Sequence, residues 1–222
     1  MVITAKNLSD KFIREKYPIK IHWDKPYIMK DIHTKFYTIS LADETSPLYV
    51  KFISELHKGK IKPPNERKSY PPSLQIFKNN ENDWSPLFMA LSLVKKYFEN
   101  EIKQRVNNGE MKQPVKIFTP FQYGNSEGEF KNPLMQLKIN CDKTEFGKLK
   151  DGTIKKLDVT NENIHEHIRS FSQHDGIVKL SVCEHSFGIT LRAELVVDCI
   201  TKTVERTPTF EELFLPDERP TL

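Results

Sequence analysis

The stretch Asn161–Val197, NENIHEHIRSFSQHDGIVKLSVCEHSFGITLRAELVV, decides the fold class of this chain. Its first part predicts a short helix with Thr160 near the N-cap. That helix carries Ile164, Ile168 and Phe171 inward. The remainder predicts an antiparallel hairpin, because apolar and polar side chains alternate through its last strand with the period of two that marks a half-buried strand. We therefore expect a domain dominated by antiparallel strands.

Further strands are predicted upstream of this stretch. Three candidates are rich in β-branched and aromatic residues, namely Thr34–Leu41, Pro47–Ile53 and Ser73–Lys78. A fourth, Leu134–Asn140, alternates apolar and polar residues. The turn Lys150–Thr153 joins two short extended pieces. About six strands are expected in total.

The clearest helix runs from Ser85 to Val106. Ser85 is a suitable N-cap residue, and Pro86 stands at the first helical position, where its missing N–H is tolerated. Apolar residues recur every three or four positions and form one stripe. By contrast, Lys58–Pro72 (KGKIKPPNERKSYPP) contains four prolines and predicts a long exposed loop.

These elements predict an all-β to α+β domain with two helices and long loops. Five antiparallel strands would suit an OB-type β-barrel, although the pattern alone supports another small barrel equally well. We divide the chain into an N-terminal extension (1–33), the strand-rich domain (34–202) and an acidic C-terminal tail (203–222).

Composition indicates a soluble globular protein, with 37% hydrophobic and 29% charged residues among 222. No apolar run approaches the ~20 residues that span a bilayer, so we expect no membrane contact. The N-terminus has no apolar segment of the secretory type. The three cysteines, Cys141, Cys183 and Cys199, are widely spaced and contain no CxxC pair, which favours a reducing compartment and argues against zinc.

Charge is distributed unevenly. Residues 1–72 carry a net charge of +6, residues 73–160 of +3 and residues 161–222 of −5. A basic region followed by an acidic end is a polarity that nucleic-acid binders use, but ordinary surface variation explains it equally well.

A single nucleic-acid strand requires flat rings for base stacking and cations for phosphates. Side-chain alternation in the first three strands predicts which residues can share an outer face. The predicted set is Lys35, Tyr37, Tyr49, Lys51 and Phe77. The alternative is that these rings pack beneath a loop or the N-terminal segment.

The proline-rich loop is the predicted phosphate clamp. Its candidate contact residues are Lys58, Lys60, Lys62, Arg67, Lys68 and Tyr70. A loop of this kind can equally be a solvated surface. Lys138 and Arg192, on the polar sides of later strands, are weaker additions.

Histidines provide the one pattern that could indicate an enzyme. His165 and His167 are two residues apart on the predicted helix and so point about 200° apart, which prevents joint chelation. We expect His174-Asp175-Gly176 to form the helix-to-strand turn. Because the motifs HExxH, GxxxxGK[ST], GxGxxG and GxSxG are also absent, we expect no active site, metal or cofactor.

The chain also resembles a known family over about 70 residues. The residues that carry the resemblance are Asn132-Pro133, Asn163-Ile164-His165, Ile168, Ser170, Ser172, His174-Asp175-Gly176-Ile177, Gly188-Ile189, Glu194 and Val196-Val197. In this order they resemble the single-stranded-DNA-binding proteins of large nucleocytoplasmic DNA viruses, of the asfarvirus type. The resemblance is strong over residues 130–200 and weak over 34–80.

This resemblance implies an OB-type barrel that binds single strands without sequence preference and catalyses nothing. The implied role is to protect strands during viral DNA replication, repair or recombination. The expected partners are single-stranded DNA, with single-stranded RNA as an alternative, and viral replication proteins that contact the acidic tail. The expected location is the viral factory in the host cytoplasm, with the nucleus and the virion as alternatives. A non-catalytic barrel that binds a replication or transcription partner is the competing hypothesis.

Overall fold

The computed structural model describes residues 1–29, 34–57, 59, 61–66, 71–80, 83–111, 116–122 and 133–203. In chain order its strands are β1 (Val2–Thr4), β2 (Ile19–Ile21), β3 (Tyr27–Met29), β4 (Thr34–Leu41), β5 (Tyr49–His57), β6 (Ser73–Phe77), β7 (Asn79–Asn80), β8 (Asp83–Trp84), β9 (Ile117–Phe118), β10 (Phe121–Gln122), β11 (Leu134–Lys138), β12 (Glu145–Lys150), β13 (Thr153–Leu157), β14 (Ser172–His185) and β15 (Gly188–Thr203). The helices are α1 (Ala5–Arg14), α2 (Pro86–Asn107) and α3 (Ile164–His167), and Pro64–Glu66 forms a 3-10 turn. The described part of the chain is therefore mostly β-sheet.

Five strands form a closed circuit of pairings. Antiparallel ladders join β5 to β6, β6 to β11, β14 to β5 and β14 to β15. The circuit is completed where β11 runs parallel to β15, with Lys138 opposite Glu194. The strands β4 and β12 extend this circuit by pairing with β14 and β15, respectively.

The buried apolar core joins residues of these strands to the buried face of α2. Strand residues of one parity are buried, as Leu74 and Ile76 are on β6. The helix begins where the sequence predicts it, because the Ser85 hydroxyl accepts a hydrogen bond from the Phe88 N–H at 2.9 Å. The buried Glu55 carboxylate accepts another from the Leu87 N–H at 3.0 Å, and its charge suits the positive end of a helix.

Residues 1–29 pack onto the strand-rich domain. Strand β1 pairs in parallel with β5, and Leu8 of α1 is fully buried. The N-terminal ammonium donates to the Pro47 carbonyl at 3.0 Å. Strands β2 and β3 pair with β4. The domain limits drawn from the sequence stay a prediction, but the described N-terminal residues are held against the sheet.

The His174-Asp175-Gly176 segment does not form a turn. The prediction from its residue types was wrong, because all three residues lie inside β14 and pair with β15, between two shifts of the β14–β15 register. Turn-forming residues occur here because β14 is irregular opposite β5, where the register shifts between His174 and Gly176. The helix itself is also shorter than expected, and Thr160 precedes it by a turn of loop.

Most strand predictions agree with the structure. Strand β4 has the predicted limits, and β6 and β11 end one and two residues earlier than predicted. Strand β5 begins two residues later and continues to His57. The predicted 150–153 turn joins β12 to β13.

Candidate nucleic-acid interface

A cleft of about 720 Å³ lies on the outer side of the sheet. It is lined by β3, β4, β5, β14 and β15 and by the loop that follows β11. Its lining residues are Tyr27, Phe36, Tyr37, Thr38, Tyr49, Asn140, Lys143, Lys179, Ser181, His185, Arg192, Glu194, Leu195 and Val196. The cleft thus combines the aromatic side chains of Tyr27, Phe36 and Tyr49 from early strands with the cations of Lys143, Lys179 and Arg192 from later parts of the chain.

Strand register explains why these side chains meet. Tyr49 lies opposite Lys179, and Lys179 lies opposite Glu194 on its other side. Glu194 in turn lies opposite Lys138. Directly opposed residues on neighbouring strands have their Cβ atoms about 4.5–5.5 Å apart on the same face. The row therefore carries a ring, two ammonium groups and one carboxylate across four adjacent strands.

A second row lies two residues along and contains Arg192. Arg192 is opposite Ser181, and its guanidinium lies over the Phe36 ring, 5.2 Å from the centroid. It also forms an ion pair with Glu194. Lys179 and Lys143 form no ion pair with any described residue, so theirs are the charges in the cleft that remain available to an anionic ligand.

The β14–β15 turn extends the cleft with further rings. Phe187 stacks on the His185 ring, with the centroids 4.9 Å apart and the planes 3° apart, and it meets the Phe118 ring edge-on at 6.0 Å. The Phe187 side chain is 64% exposed. Burial, and then Arg192 and Lys138, lower the pKa of His185, which favours the neutral imidazole. An exposed stack of uncharged rings therefore stands at the end of the cleft.

The β14–β15 turn is held in place by backbone contacts. The Ile189 N–H donates to the Lys116 carbonyl at 2.8 Å. Gly188 has a φ of 155°, and a Cβ there would lie 2.5 Å from the same carbonyl oxygen. A glycine is therefore required for the turn to approach β9.

Two of the predicted aromatic side chains, those of Tyr49 and Tyr37, point in opposite directions relative to the core. Tyr49 and Lys51 point away from the core, as alternation predicts, whereas Leu48, Val50 and Phe52 are buried. The orientation expected for Tyr37 is wrong, because the residue is only 6% exposed and its hydroxyl donates to Glu184. Burial, followed by this hydrogen bond, raises the pKa of Tyr37.

Strand β4 has the opposite parity to the one predicted. Tyr37, Ile39 and Leu41 face the interior, which leaves Phe36 in the cleft. Lys35 is engaged by Glu184 at 3.6 Å and does not line the cleft.

The remaining predicted residues are dispersed. Phe77 is half-buried at the end of β6, and Lys62 is exposed beyond β5. Lys138 is the last member of the row, and partial desolvation of its ammonium group, followed by repulsion from Arg192, lowers its pKa. The predicted contacts Lys58, Lys60, Arg67, Lys68 and Tyr70 lie outside the described residues.

Sequence reasoning missed several residues of the cleft and the ring stack. These are Tyr27, Phe36, Lys143, Lys179, His185, Phe118 and Phe187. The alternation of β14 places Lys179 outward, and this signal was readable in the sequence. The meeting of Lys179 with Tyr49 depends on a long-range register that no local pattern encodes.

A buried chain of hydrogen bonds resembles a hydrolase triad in residue types only. His174 Nδ1 donates to the Asp198 carboxylate at 2.9 Å, and Nε2 lies 2.7 Å from the Ser172 hydroxyl. All three side chains are buried, and the Ser172 hydroxyl also contacts the Arg169 carbonyl. A nucleophile must reach its substrate, so this arrangement has a structural role. Within the described ranges, no group of three or more His, Cys, Asp or Glu side chains is placed to hold a metal ion.

No protein-family model matches the chain. The uncharacterized protein CP312R of African swine fever virus (isolate Pig/Kenya/KEN-50/1950) is 26% identical over 168 residues, which cover 61% of this chain and 54% of that protein. The chain therefore spans about half the length of this curated relative. Among the residues that the structure describes, no helix is long and apolar enough to cross a membrane.

The structural neighbours include two phage single-stranded-DNA-binding proteins. One is gp2.5 of bacteriophage T7, with a TM-score of 0.41 and 15% identity over 71% of this chain and 93% of that one. The other is the protein of bacteriophage Enc34, with a TM-score of 0.41 and 13% identity over 84% and 94%. Similarity at this level carries no argument about function, which must come from the cleft itself.

Proposed function

We propose that this chain binds single-stranded DNA along the cleft, without base preference. The observation that carries the proposal is the direct pairing of Tyr49 with Lys179, beside a second ring-and-cation pair formed by Phe36 and Arg192. Rings of this kind accept any base, and the cations contact only phosphates. In duplex DNA the faces of the bases are covered by neighbouring bases, so aromatic side chains cannot stack on them.

We further propose that the five-strand circuit is an OB-type barrel. In such barrels the loops between the first and second strands and between the fourth and fifth contact oligonucleotides. In this circuit, taking β5 as the first strand, those connections are the basic loop 58–72 and the turn that carries Phe187. The phosphate contacts predicted for this loop and the ring stack at the β14–β15 turn are then both at positions that suit a bound strand.

The biological role proposed is the protection of single strands during viral DNA replication, repair or recombination. It is supported by the sequence resemblance to the asfarvirus-type proteins and by a partial relative from an asfarvirus. The viral factory as location, replication proteins as partners of the acidic tail, RNA as a second ligand and the lack of catalysis are proposed on the same basis.

A fluorescence titration with labelled oligo-dT tests the proposal. We expect micromolar or tighter binding, weaker binding to duplex of equal length, and a log–log salt slope near −3 for about four phosphate contacts. Replacing Tyr49 with Ala should weaken binding by about 1–3 kcal/mol. Tyr17→Ala, an exposed ring outside the cleft, serves as the matched control for a lost ring.

Equal or tighter binding to duplex, or affinity that ignores salt, would refute a preference for single strands. The absence of binding to either DNA would favour a protein-interaction barrel. Thermal melts of each variant decide whether a loss of affinity reflects the cleft or the fold. Tyr49→Ala with lowered affinity and a preserved Tm is the supporting result.

A further inference from the structure

The hairpin formed by β12 and β13 projects from the outer end of the sheet. Every residue from Lys148 to Lys156 is exposed. Its turn is tight, with Asp151 and Gly152 at φ values of 52° and 74°. On its inner side β12 pairs with β15 through residues 145–148, so only the base of the hairpin is fixed to the domain.

One face of this hairpin concentrates positive charge. Lys148 lies directly opposite Lys155, and Lys150 follows on the same side two residues along. Directly opposed like charges destabilise a strand pair. None of these three ammonium groups has an ion-pair partner among the described residues. This arrangement of lysines therefore does not stabilise the folded protein, whereas a bound polyanion would relieve the repulsion between their ammonium groups.

The opposite face is also exposed and carries an apolar pair, with Lys156 beside it opposite Gly147. Leu149 lies opposite Ile154, and these side chains are 39% and 69% exposed. Gly147 lies beside them, and a Cβ there would come within 2.8 Å of the Ile154 Cγ2 atom. The hairpin thus offers cations for phosphates and an aliphatic surface for sugars or bases within one short element.

The hairpin begins next to the cleft in the chain, although Lys148 and Lys150 lie on the side of β12 that carries the buried Phe146, so a strand must pass over the sheet edge to reach them. Lys143 lines the cleft, and the next residue, Thr144, anchors the chain to β15 by donating its hydroxyl hydrogen to the Leu195 carbonyl at 2.8 Å. Strand β12 begins one residue later. At about 3.3 Å per residue, Lys148 is at most ~17 Å along the chain from Lys143. A strand that leaves the cleft past Lys143 therefore has the hairpin within reach.

We propose that the β12–β13 hairpin is a second contact site for the phosphate backbone of the same single strand. It rests on the proposed function, because it extends the path of a strand that is already bound in the cleft. Short oligonucleotides occupy the cleft alone, and longer ones also engage Lys148, Lys150 and Lys155. The hairpin thereby increases the number of nucleotides covered by one molecule.

A different reason for lysines on this hairpin is edge protection. Strand β13 is the last in its sheet order, and lysines on edge strands prevent pairing with other chains. That explanation predicts aggregation when the charges are removed and no effect on DNA affinity. The two explanations therefore differ in measurable ways.

The test compares the triple variant Lys148→Gln/Lys150→Gln/Lys155→Gln with wild type across an oligo-dT length series. The matched control is Lys6→Gln/Lys96→Gln/Lys103→Gln, which removes the same charge from α1 and α2. We expect the hairpin variant to bind the shortest oligonucleotides like wild type and to lose roughly tenfold or more on the longest. Its salt slope on long strands should fall by about 2, since each lost contact removes roughly 0.7.

The possible failures are distinct. If wild type binds no oligo-dT of any length, the proposed function itself fails. If wild type binds but the hairpin variant matches it and the control at every length, the hairpin contact is overturned and the cleft stands. An equal loss at all lengths, or aggregation with unchanged affinity in the soluble fraction, also overturns the second site.

Discussion

The Asp175 carboxylate accepts a hydrogen bond from the backbone N–H of Ser54 at 2.8 Å, across 121 residues of sequence. Ser54 has a φ of 56°, in the left-handed region that non-glycine residues rarely occupy. The bond thus holds an irregularity in β5 opposite β14. Beyond it Glu55, Leu56 and His57 are all buried, so the bulge turns two polar side chains into the interior.

Replacing Asp175 with Ala should therefore destabilise the domain. The bond has a charged acceptor but is exposed to water, so we expect a loss of about 1 kcal/mol in the free energy of unfolding. Urea denaturation measures it. The exposed Asp24→Ala is the control for a lost carboxylate, and equal stability of the two variants would contradict a structural role for Asp175.

Gly176, the next residue, allows a close approach between strands. A Cβ at this position would lie 2.5 Å from the Phe52 ring and 2.5 Å from the Val197 carbonyl oxygen. Gly176→Ala should cost about 1–3 kcal/mol or more through overpacking. Adding Phe52→Leu should recover part of that loss, because the ring contact is relieved while the carbonyl contact is not. A Gly176→Ala melt like that of wild type would refute the close approach.

His57 makes stability depend on pH. Burial, and then the proximity of His174, lower the pKa of His57 to about 3. The unfolded chain has a histidine pKa near 6.5, so between pH 6.5 and 3 it binds a proton that the folded state does not. Stability must then fall on acidification through this window, by up to about 1.4 kcal/mol per pH unit from this residue.

The measurement is chemical denaturation at a series of pH values between 7 and 4. His57→Gln should flatten the pH dependence relative to wild type, whatever its effect on stability at pH 7. His167→Gln, which removes a half-exposed imidazole, is the control. An unchanged pH profile in His57→Gln would show that another group causes the acid sensitivity.

Sequence reasoning recovered the elements whose signals are local. Helix α2 was predictable because Ser85 and Pro86 mark its start and an apolar stripe marks its buried face. Strand β4 was predicted to the residue, yet its inner face was assigned wrongly. Both faces of β4 carry residues apolar enough to be buried, namely Phe36 on one and Tyr37 and Ile39 on the other. Alternation alone therefore could not show which face is buried. The packing of Tyr37 against Trp23, 4.8 Å between ring centroids, decides it.

The roles of the signature residues were less predictable. The residue types of His174-Asp175-Gly176 favour a turn, and their function in a continuous strand depends on partners far away in sequence. Asp198 and Ser54 are those partners for the first two. The cleft has the same limitation, since Lys179 meets Tyr49 only through the β5–β14 register.

Phe187 provides a direct test of the ring stack. Phe187→Ala should weaken oligo-dT binding by about 1–3 kcal/mol if a base stacks on this ring. Its exposure predicts an unchanged Tm. Titration beside Tyr17→Ala, an exposed ring elsewhere, controls for a general loss of aromatic surface. Affinity equal to that of wild type would remove the β14–β15 turn from the interface.

The acidic tail gives the last prediction, which comes from sequence because residues 204–222 lie outside the described part of the chain. Its acidic residues are Glu205, Glu211, Glu212, Asp217 and Glu218. They surround the apolar residues Phe210, Leu213, Phe214 and Leu215. Such a segment can compete with DNA for the cationic surface around Lys179. The alternative is a packed terminus whose apolar residues cover a sheet edge.

Deletion from Thr207 onward separates these two possibilities. A competing tail predicts unchanged stability and several-fold tighter DNA binding at low salt, because an intramolecular competitor for Lys143 and Lys179 has been removed. The gain should disappear at high salt, where the Debye length shrinks to about 3 Å at 1 M. A packed terminus predicts instead a lowered Tm or insolubility with no gain in affinity, and that result would end the competition hypothesis.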